Sequence, residues 1–167
     1  MSKRIFTVLL TLFVMAGLLT VFTIAANATD LTPDYYISGS PGAYDAGSSA
    51  EGTEIGVGYA TFINALSACS SDWAGQPGTP VIRLGSADTP LSVNRGDGKL
   101  ISATYTGDVN IEHTASTYGL RVDKDAPVEL HDFTLTNSLE GIGGEYNAVY
   151  VYTGGNLTIG SGTNIIV

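Results

Sequence analysis

Between residues 82 and 159 the sequence keeps returning to one pattern, and this recurrence constrains the chain more than any other feature. Ile101-x-Ala103, five residues, then Val109-x-Ile111 make one unit. Leu120-x-Val122 with Val128-x-Leu130, and Val149-x-Val151 with Leu157-x-Ile159, repeat it. Ile82-x-Leu84 and Leu91-x-Val93 fit the same template with one extra residue between the pairs. The steps are 19 residues (82 to 101), 19 (101 to 120) and 29 (120 to 149). Alternation within each pair is the strand period, in which every second side chain faces inward. The spacers hold turn formers: Asp88-Thr89-Pro90, Gly107-Asp108, Asp125-Ala126-Pro127 and Gly154-Gly155-Asn156. Strand, bend, strand at a near-constant period predicts a solenoid of about four rungs. A series of antiparallel hairpins is the competing arrangement. It fits less well, because the spacers share no two-residue hairpin turn.

Stacking in that register assigns the outward positions. Arg83, Ser102, Arg121 and Tyr150 form one exterior column, and Ser92, Asn110, Glu129 and Thr158 form another. The ten extra residues of the last step fall within 137–148 (NSLEGIGGEYNA) and are expected to bulge outward as a loop.

The N-terminal part is of different character. Residues 1–28 read as an export signal: Lys3 and Arg4, an apolar run over 5–25, then Ala26-Asn27-Ala28 as a small-x-small cleavage site. Two positive charges hold that end inside and direct the remainder outward, which predicts an extracellular or cell-surface protein. Residues 29–58 are rich in Gly, Ser, Ala and Asp and read as a loop, with one short strand at 34–38. Residues 59–69 (YATFINALSAC) form the one convincing helix, with Phe62, Ala65, Leu66 and Cys69 on a single stripe. Gly75, Pro77, Gly78 and Pro80 end it by residue 80. Its expected role is to cap the first rung, as terminal units do in solenoids. Residues 81–167 are then the rungs, ending at Asn164-Ile165-Ile166-Val167 without a capping segment. This ending reads as a chain truncated at its C-terminus, and its open edge is a place for end-to-end self-association.

Charge excludes one class of partner. Seven basic residues stand against 16 acidic ones, a net of −9. Removing Lys3 and Arg4 leaves five against 16, a net of −11. Such a surface repels nucleic acid. The single cysteine, Cys69, rules out a disulfide framework and reads as a small buried apolar residue.

The order Asp34-Tyr35-Tyr36-Ile37-Ser38, a Gly/Ser/Asp loop, then Tyr59-Ala60-Thr61-Phe62 leading into Ala65-Leu66 resembles the N-terminus of secreted right-handed parallel β-helix proteins. These are the pectate-lyase-like proteins and the bacterial surface adhesins of similar build. Segments 128–138 (VELHDFTLTNS) and 154–165 (GGNLTIGSGTNI) look like their rungs. The resemblance, from residue 34 onward, implies an all-β, right-handed parallel β-helix behind one capping α-helix. It also implies contact with polysaccharide or cell-surface glycans.

The same resemblance raises the question of a lyase, whose members use clustered acids for calcium and a nearby Arg or Lys as base. Asp123, Asp125 and Glu129 are the local acids, with Arg121 and Lys124 beside them. Calcium needs several oxygens converging on one point, whereas acids in a bend serve the turn itself. No catalytic residue, metal ligand or cofactor-binding residue is assigned on this basis. His113 and His131 do not align in the repeat; one 19-residue step places Glu112 by His131 and His113 by Asp132. Arg95-Gly96-Asp97 is the integrin-type tripeptide and equally a good turn. Trp73, Tyr146, Tyr150 and Tyr152 are candidates for stacking on sugar rings, with packing as the alternative use. The expected function is therefore an exported, non-catalytic protein of adhesion or carbohydrate contact. Its rival is the first part of a polysaccharide lyase or hydrolase whose catalytic rungs lie elsewhere.

Overall fold

The segment expected to be mostly loop begins the sheet. β1 (Tyr35–Ser40), β2 (Ala43–Gly47) and β3 (Gly56–Tyr59) pair antiparallel in order, so the described residues between 31 and 59 form three strands where one was expected. The short strand expected at 34–38 is β1, with Tyr35 and Ile37 buried, whereas the small-residue composition concealed the alternation of Tyr44 and Ala46, which are buried as well. This is a computed structural model that describes residues 31–50, 52–94, 96–112, 118–137 and 147–167. The export signal expected over residues 1–28 lies outside the described residues.

The helix, α1 (Phe62–Asp72), begins at the first residue of its apolar stripe and lies three residues later than the expected 59–69. Tyr59 is held in β3, its hydroxyl donating to the Ile55 carbonyl at 3.1 Å. Thr61 then caps the helix, its side chain accepting from the Asn64 N–H at 3.4 Å. Phe62, Ala65, Leu66 and Cys69 are fully buried as expected, and α1 lies against β1, β2, β3 and the later strand β6. Among the described residues no helix is long and apolar enough to cross a membrane.

From residue 81 onward the strands are β4 (Val81–Leu84), β5 (Leu91–Asn94), β6 (Gly98–Leu100), β7 (Ala103–Glu112), β8 (Tyr118–Val122), β9 (Pro127–Asn137), β10 (Asn147–Val151), β11 (Asn156–Ile159) and β12 (Asn164–Ile166). Among the described residues, every pairing between these strands is parallel. Among the described residues from β4 onward no strand pairs with its neighbour in sequence, which removes the hairpin alternative for the repeat. One ladder places β4 and β5 along β7, β7 along β9, and β11 and β12 along β9. A second runs β6, β8, β10. β1 joins the first ladder parallel to β4, so that sheet is mixed. The fold is all-β with one short helix.

The register differs from the 19-residue step. Ile82 lies beside Tyr105 and not Ile101, a step of 23 (82 to 105). Ala103 pairs with Val128, and Leu120 is reached from Gly98. Two residues explain the shift. Ile101 and Ser102 stand between β6 and β7, where the Ile101 N–H donates to the Tyr105 hydroxyl and its carbonyl accepts from it, both at 3.1 Å. Gly98-Lys99-Leu100, inside a stretch that reads as a turn, is a strand. The 29-residue step holds in both ladders: Leu120 pairs with Val149, and Val128 with Leu157.

β7 and β9 are long because each bends. At Gly107 the backbone takes φ 94°, and a Cβ there would collide with the Leu84 carbonyl. Opposite it, β9 places three residue steps (Leu130 to Phe133) against two of β7 (Tyr105 to Gly107), a bulge with Asp132 at φ 44°. The inward side chains form continuous columns, such as Tyr35, Ile82, Tyr105, Leu130 and, less covered, Ile159. Each fully buried aliphatic or aromatic member contributes about 1.5–3 kcal/mol.

Candidate functional site

The β6–β8–β10 ladder gathers a connected set of polar and aromatic side chains. Parallel register sets Lys99, Arg121 and Tyr150 side by side. The Arg121 guanidinium meets Asp123 along two edges, with Nε 2.8 Å from Oδ1 and Nη2 2.9 Å from Oδ2. Lys99 Nζ reaches the same Oδ2 at 2.9 Å. Arg121 Nη1 donates to the Tyr118 hydroxyl at 3.1 Å, and that hydroxyl donates to the Gly96 carbonyl at 3.1 Å.

Aromatic rings enclose this network. The guanidinium carbon lies 5.5 Å from the ring centres of both Tyr118 and Tyr152, within cation–π range. Tyr150 stacks on Tyr118 at 6.3 Å and meets Tyr152 edge-on at 5.1 Å. Tyr150 and Tyr152 are 38% and 49% exposed, so these rings are open to solvent while Arg121 lies against Tyr118 and Tyr152. Arg121, and to a lesser degree Lys99, hold the Asp123 carboxyl below its usual range. Asp123 in turn raises the Arg121 guanidinium above its usual value. These groups are committed to one another as charged partners. They form a rigid, aromatic-walled polar surface suited to flat ligands carrying both hydroxyls and C–H faces.

The structure redistributes the other residues singled out by sequence. Of the first exterior column, Arg121 and Tyr150 stand together, but Arg83 lies between Tyr36 and Thr106 in the other ladder and Ser102 sits outside the strands. The second column divides: Ser92 and Asn110 continue into Thr136, whereas Glu129 and Thr158 align with Thr104. Both corrections follow from the register shift.

Asp123 faces Lys99 and Arg121, and Asp125 occupies a turn at φ 64°. Among the described residues, no group of three or more His, Cys, Asp or Glu comes together. Glu112 pairs with Asn94 and does not reach His131, whose Nε2 instead lies 3.5 Å from Glu129 Oε2. His113, Arg95 and Tyr146 lie outside the described residues. Gly96 and Asp97 turn between β5 and β6, the Asp97 N–H donating to the Asn94 carbonyl at 3.0 Å. Trp73 packs edge-on against Tyr35 at 6.2 Å, a packing use. Cys69 is buried, and burial pushes its thiol up to about 12.

Lys99 and Tyr118 were missed by the sequence pattern. Lys99 was hidden in a turn-like segment, and Tyr118 precedes the apolar pair that defines its unit. The signal that finds them is parallel register across β6 and β8, which the 19-residue step misplaced. Comparison with protein-family models, curated proteins and solved structures gives no match.

Proposed function

We propose that this chain is an exported right-handed parallel β-helix protein that contacts carbohydrate at a surface through its β6–β8–β10 face, without catalysing a reaction. The observation that carries the reading is the three-tyrosine cluster held around Arg121, with two of its rings open to solvent. Stacking of a pyranose C–H face on such rings, with hydroxyls directed at Lys99 or Asp123, is the mode of contact. The parallel ladders and their recurring return support the β-helix. The leader of residues 1–28 supports export.

The test is affinity electrophoresis of the exported protein through gels containing single polysaccharides, neutral and acidic. At least one polysaccharide retards the wild type, and Tyr152→Ala reduces the apparent affinity about tenfold, the equivalent of about 1.4 kcal/mol. Equal retardation of wild type and Tyr152→Ala would move the contact elsewhere, and no retardation by any polysaccharide would remove the proposal. Incubation of the same polysaccharides with protein and calcium, followed by ultraviolet absorbance, checks the absence of catalysis. Release of unsaturated uronate would turn the reading to a lyase.

A further inference from the structure

The charged side chains of the β6–β8–β10 face differ in what they can still offer a ligand. Arg121 is committed within the fold. Its Nε and Nη2 face Asp123 at 2.8 and 2.9 Å, and its Nη1 donates to the Tyr118 hydroxyl. The rings of Tyr118 and Tyr152 lie against its guanidinium carbon. The Nε–Nη2 edge, which would grip a ligand carboxylate by paired hydrogen bonds, is thus filled by a carboxylate of the chain itself.

Lys99 and Asp123 keep capacity for a partner. Their side chains are 45% and 25% exposed, with Nζ 2.9 Å from Oδ2. An ammonium has N–H donors beyond the one turned to Asp123. A carboxylate accepts at about four positions, of which Arg121 and Lys99 take three. Together the two groups present a donor beside an acceptor, spaced much like the two oxygens of a gauche vicinal diol. Each hydroxyl of such a pair both donates and accepts, so one oxygen accepts from Lys99 Nζ while its neighbour donates to Asp123. A ligand carboxylate can only accept, and it would stand against the Asp123 carboxylate. Lys99 and Arg121 exceed Asp123 by one charge, but the long-range field of a chain of net charge −9 turns anions away.

Given the carbohydrate contact proposed above, on which this step rests, we infer that Lys99 and Asp123 form a receptor for vicinal hydroxyls. The ligand is then an uncharged polysaccharide that carries such pairs, with its C–H face on Tyr150 and Tyr152.

Affinity electrophoresis of the full chain tests this with uncharged polysaccharides that periodate cleaves, uncharged ones that it leaves intact, and polygalacturonate. Periodate splits the bond between carbons bearing adjacent free hydroxyls, so its action sorts the uncharged polymers by the feature in question. The cleavable polymers bind the chain at least about tenfold more tightly than the other two kinds, with little change between low and high salt. Lys99→Met keeps the aliphatic stem and removes the donors, and it lowers that affinity about tenfold. Far-UV circular dichroism establishes that the variant is folded; should it not fold, the periodate and salt comparisons on the wild type decide alone. Tighter binding of polygalacturonate, fading with salt, overturns the inference and leaves carbohydrate contact standing. So does equal retardation by both kinds of uncharged polymer, or a folded Lys99→Met that binds as the wild type does. No retardation by any polysaccharide removes the carbohydrate contact itself, and this inference with it.

Discussion

At the α1 end of the molecule Ile37 and Phe62 are both 0% exposed, whereas at the β12 end Ile159 and Ile165 are 51% and 42% exposed. The side chains are of the same kind, and all four occupy inward positions. What differs is the next layer. Phe62 rests against Tyr44, ring centres 5.9 Å apart, and α1 supplies a stripe of buried residues above β2. Alternation therefore decides which way a residue points, and the element laid over it decides whether it is worth a full burial or a fraction of one.

Truncation at the two ends should separate them most widely. Phe62→Ala is expected to cost about 3–5 kcal/mol in urea unfolding. Ile159→Ala in dilute protein is expected to cost under about 1 kcal/mol, because much of its surface is already in water. Equal losses would mean that the two ends are equally covered. Gly107→Ala comes next, with an expected loss of about 1–3 kcal/mol from its left-handed backbone and the collision with Leu84. At the capped end Tyr35 adds an alkaline sensitivity. Burial first, then the hydrogen bond to Asp72 at 2.8 Å, pushes the Tyr35 hydroxyl up to about 12. A tyrosine raised in the fold stabilises fully below its unfolded value near 10. That contribution is lost as pH rises from about 10 towards 12, and Tyr35→Phe flattens the thermal-melting profile across this window.

The smallest expected effect lies on the β6–β8–β10 face. Asp123, lowered by Arg121 and Lys99, stabilises above its unfolded pKa of about 3.9 and loses this contribution as pH falls through its depressed folded value. Because the pair lies at the surface, with the Asp123 side chain 25% exposed and Lys99 45%, solvent screening should keep the loss within about 1 kcal/mol. Melting temperatures of wild type and Asp123→Asn should therefore converge in acid. A gap that persists or widens there would show that Asp123 acts through something other than its charge.

Much of this architecture was legible as pattern. The paired apolar positions, the buried stripe of Phe62, Ala65, Leu66 and Cys69, and the 29-residue step from Leu120 to Val149 all express side-chain alternation that packing preserves. The error in register came from one assumption, that the spacer between units is constant. Ile101 looks like an inward residue by spacing, yet it bonds the Tyr105 hydroxyl with its backbone while β6 forms from Gly98-Lys99-Leu100. Nothing local distinguishes that corner from a strand; the distinction lies in which residue stacks beneath. The candidate site suffered most, since Lys99 and the tyrosines of the β10 end reach Arg121 from neighbouring strands, and only Tyr118 is close to it in sequence. Strands β2 and β3 were obscured for a different reason, because Ala, Asp and Gly fill most of β2 and Gly half of β3.

The parallel ladders have a consequence for how the molecule comes into being. Each strand from β7 onward pairs with one that precedes it by between 18 residues (91 to 109) and 30 (135 to 165). A chain emerging N-terminus first thus always finds its template already laid down, beginning from the sheet closed by α1. Folding can advance as a zipper with one growing front, and the loop closed at each step remains similar in length, so the entropic cost of closure scarcely rises as the stack lengthens.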